Sequence, residues 1–263
     1  MKTNSSKSAL FFCLTLALVL SACGARAPAA TSTLPKTVTS TVVPTFTATA
    51  TVISTKTPPP TATPNLEATQ QYEDFFAVVQ RIHEAGQIPS TNGKYLQLDD
   101  YQEELAIKLQ YTWVETGINA KNFIVRGDFE WSNAVNTTNI SGCGFVFRVQ
   151  PNTDRYLILL DAFSGVKLAS STDRGTYSMG SPQNGDEKIS DFGSEPYHAT
   201  FTLVVNDLKS YVYVNDVYQG EYKLLDYRIT ESGLLSGAVL SATSEGYGTR
   251  CKITNTQAWI IDQ

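Results

Sequence analysis

From Lys94 to the end of the chain, apolar and polar residues alternate with a period of two, and Gly, Pro, Asn, Asp and Ser cluster roughly every 8–12 positions. That pattern admits few folds. Each alternating segment buries one face and shows the other to water, and breaks this frequent leave no room for helices between segments. The candidate strands are 94–98, 121–131, 142–149, 154–161, 165–169, 197–206, 209–215, 217–223, 234–241 and 249–261. Asn215-Asp216, between YVYV and VYQGEY, is a hairpin signal. The expected fold is all-β: an antiparallel β-sandwich or jelly roll over 91–263, without internal repeats.

The alternation also assigns faces. In 142–149, Cys143, Phe145, Phe147 and Val149 share one side, and Gly144, Val146 and Arg148 the other. In 121–131, Phe123, Val125, Phe129 and Trp131 point one way, and Arg126, Asp128 and Glu130 the other. Cys251 and Ile253 share a face of the last strand.

Upstream the period changes. Leu66, Tyr72, Phe75, Phe76, Val79 and Ile82 recur at three- and four-residue steps, which predicts an amphipathic helix within 66–90 that packs on the sandwich. Gly86 is its expected stop, Pro89 follows, and His83 is expected as a surface residue favoured by the helix dipole. Residues 24–65 are Thr, Pro, Ala, Val and Ser, with seven of the 11 prolines of the chain. Proline denies backbone donors and the segment has little large apolar surface, so a disordered stalk with polyproline II character is expected, open to O-glycosylation.

At the N-terminus Lys2 and Lys7 precede Ala9–Leu20, a 12-residue apolar run too short to span a bilayer. Leu20-Ser21-Ala22-Cys23 follows and resembles the bacterial lipoprotein lipobox. The resemblance implies a signal peptide over 1–22, a lipidated Cys23 bearing fatty acyl chains such as palmitate, and 23–65 as anchor and linker. The protein would then sit on the extracytoplasmic face of the cell membrane, with Cys23 joining it to that membrane. The alternative is an ordinary signal peptide cleaved near Ala22, with Cys23 incidental.

With Cys13 removed and Cys23 acylated, Cys143 and Cys251 remain, both on apolar faces. In an exported compartment one disulfide between them is the economical expectation, and two free buried thiols are the alternative. Residues 1–66 carry five basic residues and no acid, leaving 15 of the 20 basic residues against all 25 acidic ones downstream. An acidic domain repels phosphate backbones, so nucleic acid is not expected as a partner.

NFIVRGDFEW, GCGFVFRV, DRYLILLD and TFTLVVNDLKSYVYVND, spread over about 120–263, resemble the concanavalin A-like lectin/glucanase superfamily. More narrowly they are similar to lipoprotein jelly-roll domains related to laminin-G and 3-keto-glycoside hydrolase-like modules. The resemblance implies two curved antiparallel sheets with ligands on a concave face or rim loops, and in many members a carbohydrate ligand.

Chemistry is harder to find. The glucanases of this superfamily carry E-x-D-x-x-E on one strand, and this chain has no such run. Asp128 and Glu130 share a face beside Arg126, and their plain reading is solvated or salt-bridged strand positions. Asp186, Glu187, Asp191 and Glu195 have oxygen ligands of the kind Ca²⁺ takes but lack a regular loop spacing, so no cofactor is expected. His83 and His198 make no metal-ligand cluster with the cysteines, and His198 has no nucleophile motif beside it. A recognition surface remains. Sugars need aromatic platforms and planar polar groups, which Trp131, Arg148, Tyr156, Tyr177 and Tyr213 are the candidates to supply. Trp131 shares its face with Phe129, and Tyr156 with Ile158 and Leu160, which favours core for both. The expected function is a surface-tethered, non-catalytic binder of carbohydrate or another ligand. The alternatives are an envelope protein-interaction module and a divergent glycoside hydrolase.

Overall fold

A computed structural model describes residues 66–105, 110–133, 141–161, 165–185, 192–230, 232–241 and 248–262. The expected signal peptide, Cys23, the stalk, and the acidic residues Asp186, Glu187 and Asp191 lie outside the described residues.

One helix, α1 (Leu66–Glu84), precedes β1 (Gly93–Gln97), β2 (Tyr101–Leu105), β3 (Gln110–Ala120), β4 (Phe123–Asn133), β5 (Gly142–Val149) and β6 (Arg155–Asp161). The chain continues with β7 (Gly165–Thr172), β8 (Gly175–Ser178), β9 (Tyr197–Asn206), β10 (Lys209–Val214), β11 (Val217–Lys223), β12 (Gly233–Ser241) and β13 (Thr249–Ile261). The strands form an antiparallel β-sandwich. A seven-stranded sheet runs β1-β13-β4-β9-β10-β11, with β2 pairing the far half of β13, and a six-stranded sheet runs β3-β12-β5-β6-β7-β8. The expected strands are all present. The sequence pattern did not single out β2, β3 and β8. β8 is exposed throughout and β2 is a five-residue flank, so neither shows the apolar rhythm of a core strand.

The core lies between the sheets, as the alternation requires. Phe123, Val125, Phe129 and Trp131 of β4 face Cys143, Phe145 and Phe147 of β5 and Tyr156, Ile158 and Leu160 of β6. Phe129 meets Phe145 and Phe201 edge-on, with ring centroids 5.3 and 5.6 Å apart. Cys143 and Cys251 are joined in a disulfide with Cα atoms 5.2 Å apart, tying β5 of one sheet to β13 of the other.

In β5 the alternation breaks near the end. Leu234 pairs with Val149 but Ser236 pairs with Val146, so Phe147 and Arg148 together oppose one residue of β12. This is a bulge, and Arg148 adopts φ 54°. The consequence is a correction of two positions. Arg148 turns inward, where its Nη2 donates to the Asp207 carbonyl, and Val149 turns outward to join Val146, Leu157 and Ala238.

The helix packs on the outer face of the seven-stranded sheet. Phe75, Val79 and Ile82 are buried against Ile124, Val204, Trp259 and Ile261, while Leu66 stays exposed. At its end Gly86, at φ 72°, accepts the left-handed position, and its N–H bonds the His83 carbonyl while Gln87 N–H reaches Ile82. His83 Nδ1 lies 3.0 Å from the Ile88 carbonyl. Asp216, in the β10–β11 turn, locks the helix down. It accepts from Arg81 of α1 at 2.6 Å and from both Nη atoms of Arg126 on β4 at 2.7 and 3.0 Å.

Candidate functional site

Of the five proposed recognition residues, four are buried. Trp131 is 1 % exposed and packs on Phe192 and Tyr197, with centroids 4.9 and 5.7 Å away. Tyr156 is fully buried, and its hydroxyl accepts from the Asp226 N–H at 3.0 Å. Tyr213 lies near the end of the helix and donates to Gln87 Oε1 at 2.7 Å. Arg148 is held between the sheets by the bulge. Their burial places all four in the packing of the sandwich rather than on an open recognition surface. Tyr177 alone is exposed, at 48 %, and its hydroxyl donates to the Arg174 carbonyl of its own hairpin at 2.8 Å. The structure does not bring these five together.

The carboxylates considered for catalysis lie on the outer face of β4. Asp128 is engaged structurally: it accepts from Thr200 Oγ1 at 2.8 Å and Asn255 Nδ2 at 2.9 Å, bridging three strands. Glu130 pairs across strands with the exposed His198. It borders a groove of about 660 Å³ with Glu103, Glu104, Glu195, Arg250 and Lys252. Arg250 Nε donates to Glu104 at 2.6 Å. Charges of both signs line this groove, and the one aromatic residue at its wall, Trp131, belongs to the core.

The other outer face carries a different set. On β3, residues 111, 113 and 115 alternate outward, placing Tyr111 and Trp113 side by side with centroids 5.5 Å apart and planes 27° from parallel. The Arg155 guanidinium of β6 sits over both rings, at 4.6 Å from Tyr111 and 4.7 Å from Trp113. Tyr111 Oη and Ser171 Oγ are 3.1 Å apart. Next to Trp113 opens a cavity of about 500 Å³. Glu115 and Asn119 of β3 line it, with Thr153 of the β5–β6 turn and Thr230 and Ser232 before β12.

Two bulges shape this cavity. One is that of β5, which turns Val149 into its wall. The other lies in β3, where the register with β12 shifts between Leu235 and Ser236 and Gly117 takes φ 72°. It inserts two residues, Thr116 and Gly117, into β3, which keeps the alternation, so Glu115 and Asn119 stay on one face and both line the cavity. Gln150 forms a fixed part of the wall: its Nε2 donates to the carbonyls of Arg148 at 2.8 Å and Ser232 at 2.7 Å. Glu115 and Asn119 are exposed. The cavity thus combines one aromatic wall with planar polar groups and hydroxyls. Sequence reasoning missed it because β3 was not recognised: Tyr111 and Trp113 at alternate positions are the one hint, and Val114 between Trp113 and Glu115 blurs it.

No protein-family model matches the chain, and no curated protein matches it. Among solved structures it is similar to the carbohydrate-binding module CBM66 from Bacillus subtilis, at 10% identity over 63% of this chain and 96% of that one, with a TM-score of 0.41. It is similar to a fructosyltransferase from A. japonicus, at 15% identity over 64% of this chain and 26% of that one, TM-score 0.40. It is also similar to sheep galectin-11, at 10% identity over 58% of this chain and 98% of that one, TM-score 0.32. Similarity at this level carries no information about the residues of the site.

Proposed function

We propose that this chain is a non-catalytic glycan-binding β-sandwich, held on the outer face of a membrane by lipidated Cys23 and a Thr/Pro-rich stalk. The observation that carries the reading is the cavity walled by Trp113. A sugar ring has an apolar C–H face and a rim of hydroxyls. An aromatic wall takes the first, and Glu115, Asn119 and the hydroxyls of Thr153, Thr230 and Ser232 take the second. Glu115 is the single carboxylate among the described lining residues, whereas glycoside hydrolysis of either stereochemistry uses two. The helix covers the opposite sheet and leaves this cavity unfilled.

The test is a glycan array followed by titration calorimetry on the full-length chain. Trp113→Ala is expected to weaken the best ligand about 30-fold, the size of a truncated aromatic anchor, with the fold intact by circular dichroism. Binding that survives Trp113→Ala moves the site elsewhere. Absence of any glycan ligand, with one envelope protein captured specifically, replaces the reading with a protein-interaction module. Sugar release abolished by Glu130→Gln replaces it with a glycosidase at the acidic groove.

A further inference from the structure

β3 is an edge strand. It pairs with β12 on one side, and among the described residues no strand pairs with its other side. Val114 is 57 % exposed, and Glu115 and Thr116 are exposed beside it. A second cavity, of about 300 Å³, opens here, with Asp99, Asp100 and Gln102 on one side and Val114, Glu115 and Thr116 on the other. Gly237 of β12, the partner of Val114, keeps it in shape: a Cβ there would come within 3.0 Å of the Tyr101 ring, which forms the inner wall.

Glu115 lines both this cavity and the one walled by Trp113. Along a strand, residues 113 and 115 face one way and 114 and 116 the other. The first cavity takes Trp113 and Glu115, and the second takes Val114 and Thr116 as well as Glu115. The two therefore lie on either side of β3 and meet across its free edge at Glu115.

The polar side chains along this crossing are uncommitted. Elsewhere the domain pairs its surface acids, Glu104 with Arg250 at 2.6 Å and Glu221 with Lys209 at 2.9 Å. The side chains of Asp99, Asp100, Gln102, Glu115 and Asn119 make no hydrogen bond or ion pair among the described residues, and all five are exposed. A ligand reaches them without displacing a bond the protein already has. Carboxylates and amides are the groups that pair with sugar hydroxyls.

The geometry points to a saccharide bound along its length. One unit sits in the Trp113 cavity, and the chain continues over the β3 edge at Glu115 into the second cavity, where Asp99, Asp100 and Gln102 take the hydroxyls of units further along. This deepens the glycan-binding reading and rests on it. Three carboxylates and no Lys or Arg line the two cavities, so an anionic chain is repelled.

The experiment is calorimetric titration of the full-length chain with uncharged cello-, xylo-, arabino-, fructo- and galacto-oligosaccharides, each series running from monosaccharide to hexasaccharide. In the series that binds, the tetrasaccharide is expected to bind about tenfold tighter than the disaccharide, the worth of one hydrogen bond to a charged group. The Asp100→Ala/Gln102→Ala double variant is expected to bring the tetrasaccharide down to the affinity of the disaccharide and leave the disaccharide unchanged. The chain-length comparison needs no variant, so it decides even if the double variant does not fold. Equal affinity for disaccharide and tetrasaccharide overturns this proposal and leaves the Trp113 reading standing. A gain with length that survives in the folded double variant routes the chain elsewhere and also overturns it. Shortening of the tetrasaccharide during the titration overturns the non-catalytic reading, and no binding of any saccharide overturns the glycan reading itself.

Discussion

A φ of 54° at Arg148 carries its guanidinium from the outer face of β5 into the space between the sheets, where it donates to the Asp207 carbonyl at the β9–β10 turn. Its contribution is to stability. Arg148→Met leaves that carbonyl without its donor in a buried setting, and a loss of about 1–3 kcal/mol is expected in urea unfolding. Saccharide affinity, measured where the variant is still folded, is expected to stay the same. Weakened affinity at unchanged stability would return Arg148 to the ligand-contacting role its sequence position implied. The same residue marks a limit of pattern reading. Alternation assigned Phe145, Phe147 and Cys143 to the core correctly, because burial of neighbours two apart is a local property. It misplaced Arg148 and Val149 because nothing in GCGFVFRV announces where β12 fails to keep step.

At the scale of elements, α1 was legible from its three- and four-residue apolar steps and from Gly86, both of which act within the helix. Which sheet it covers was not legible, and neither was its lock. Asp216 is held down to about 2, first by the hydrogen bond from Arg126 and then by that from Arg81, against an ordinary value of 3.8. A carboxyl depressed in the folded state stabilises fully above its unfolded value, and that contribution disappears as pH falls from about 4 toward 2. Urea midpoints are therefore expected to decline through that window. Asp216→Asn keeps the turn, since Asn accepts the left-handed backbone there, and is expected to flatten this part of the decline. At neutral pH the substitution is expected to cost about 1 kcal/mol, a small figure because the cluster is half open to solvent. A wild-type pH profile reproduced by Asp216→Asn would show that the cluster does not fasten the helix. β3 failed to stand out for a related reason. Tyr111, Trp113 and Glu115 alternate with Thr112, Val114 and Thr116, a contrast too weak to read as one face buried and one exposed, and Gly117 then breaks the period. With it went the residues of the Trp113 cavity.

For the molecule as a whole, the disulfide is the one covalent cross-link between side chains of the two sheets among the described residues. It closes a separation of 108 residues, for which loop-closure entropy gives on the order of 4–5 kcal/mol. The Cys143→Ala/Cys251→Ala double variant is expected to lose stability on that scale in urea unfolding, and the wild-type chain is expected to do the same under reductant. An unfolding midpoint indifferent to reductant would mean that the packing of Phe129, Phe145 and Phe201 already holds the sheets together. By itself, the sequence determined the strands of the core, the faces they bury up to the β5 bulge, and the helix and its stop, and it favoured a bridge between Cys143 and Cys251 over two free thiols. The first three follow from the period of neighbouring side chains, and the bridge from the expectation that Cys13 and Cys23 are engaged elsewhere; the structure decided for the bridge. Only the tertiary structure decided which outer face the helix covers, where the two bulges fall, and that Trp113, Thr153 and Thr230 meet around one cavity. Those outcomes depend on registers between strands far apart in the chain, such as Trp113 with Ala238 and Val149 with Leu234, and a local period carries no record of them.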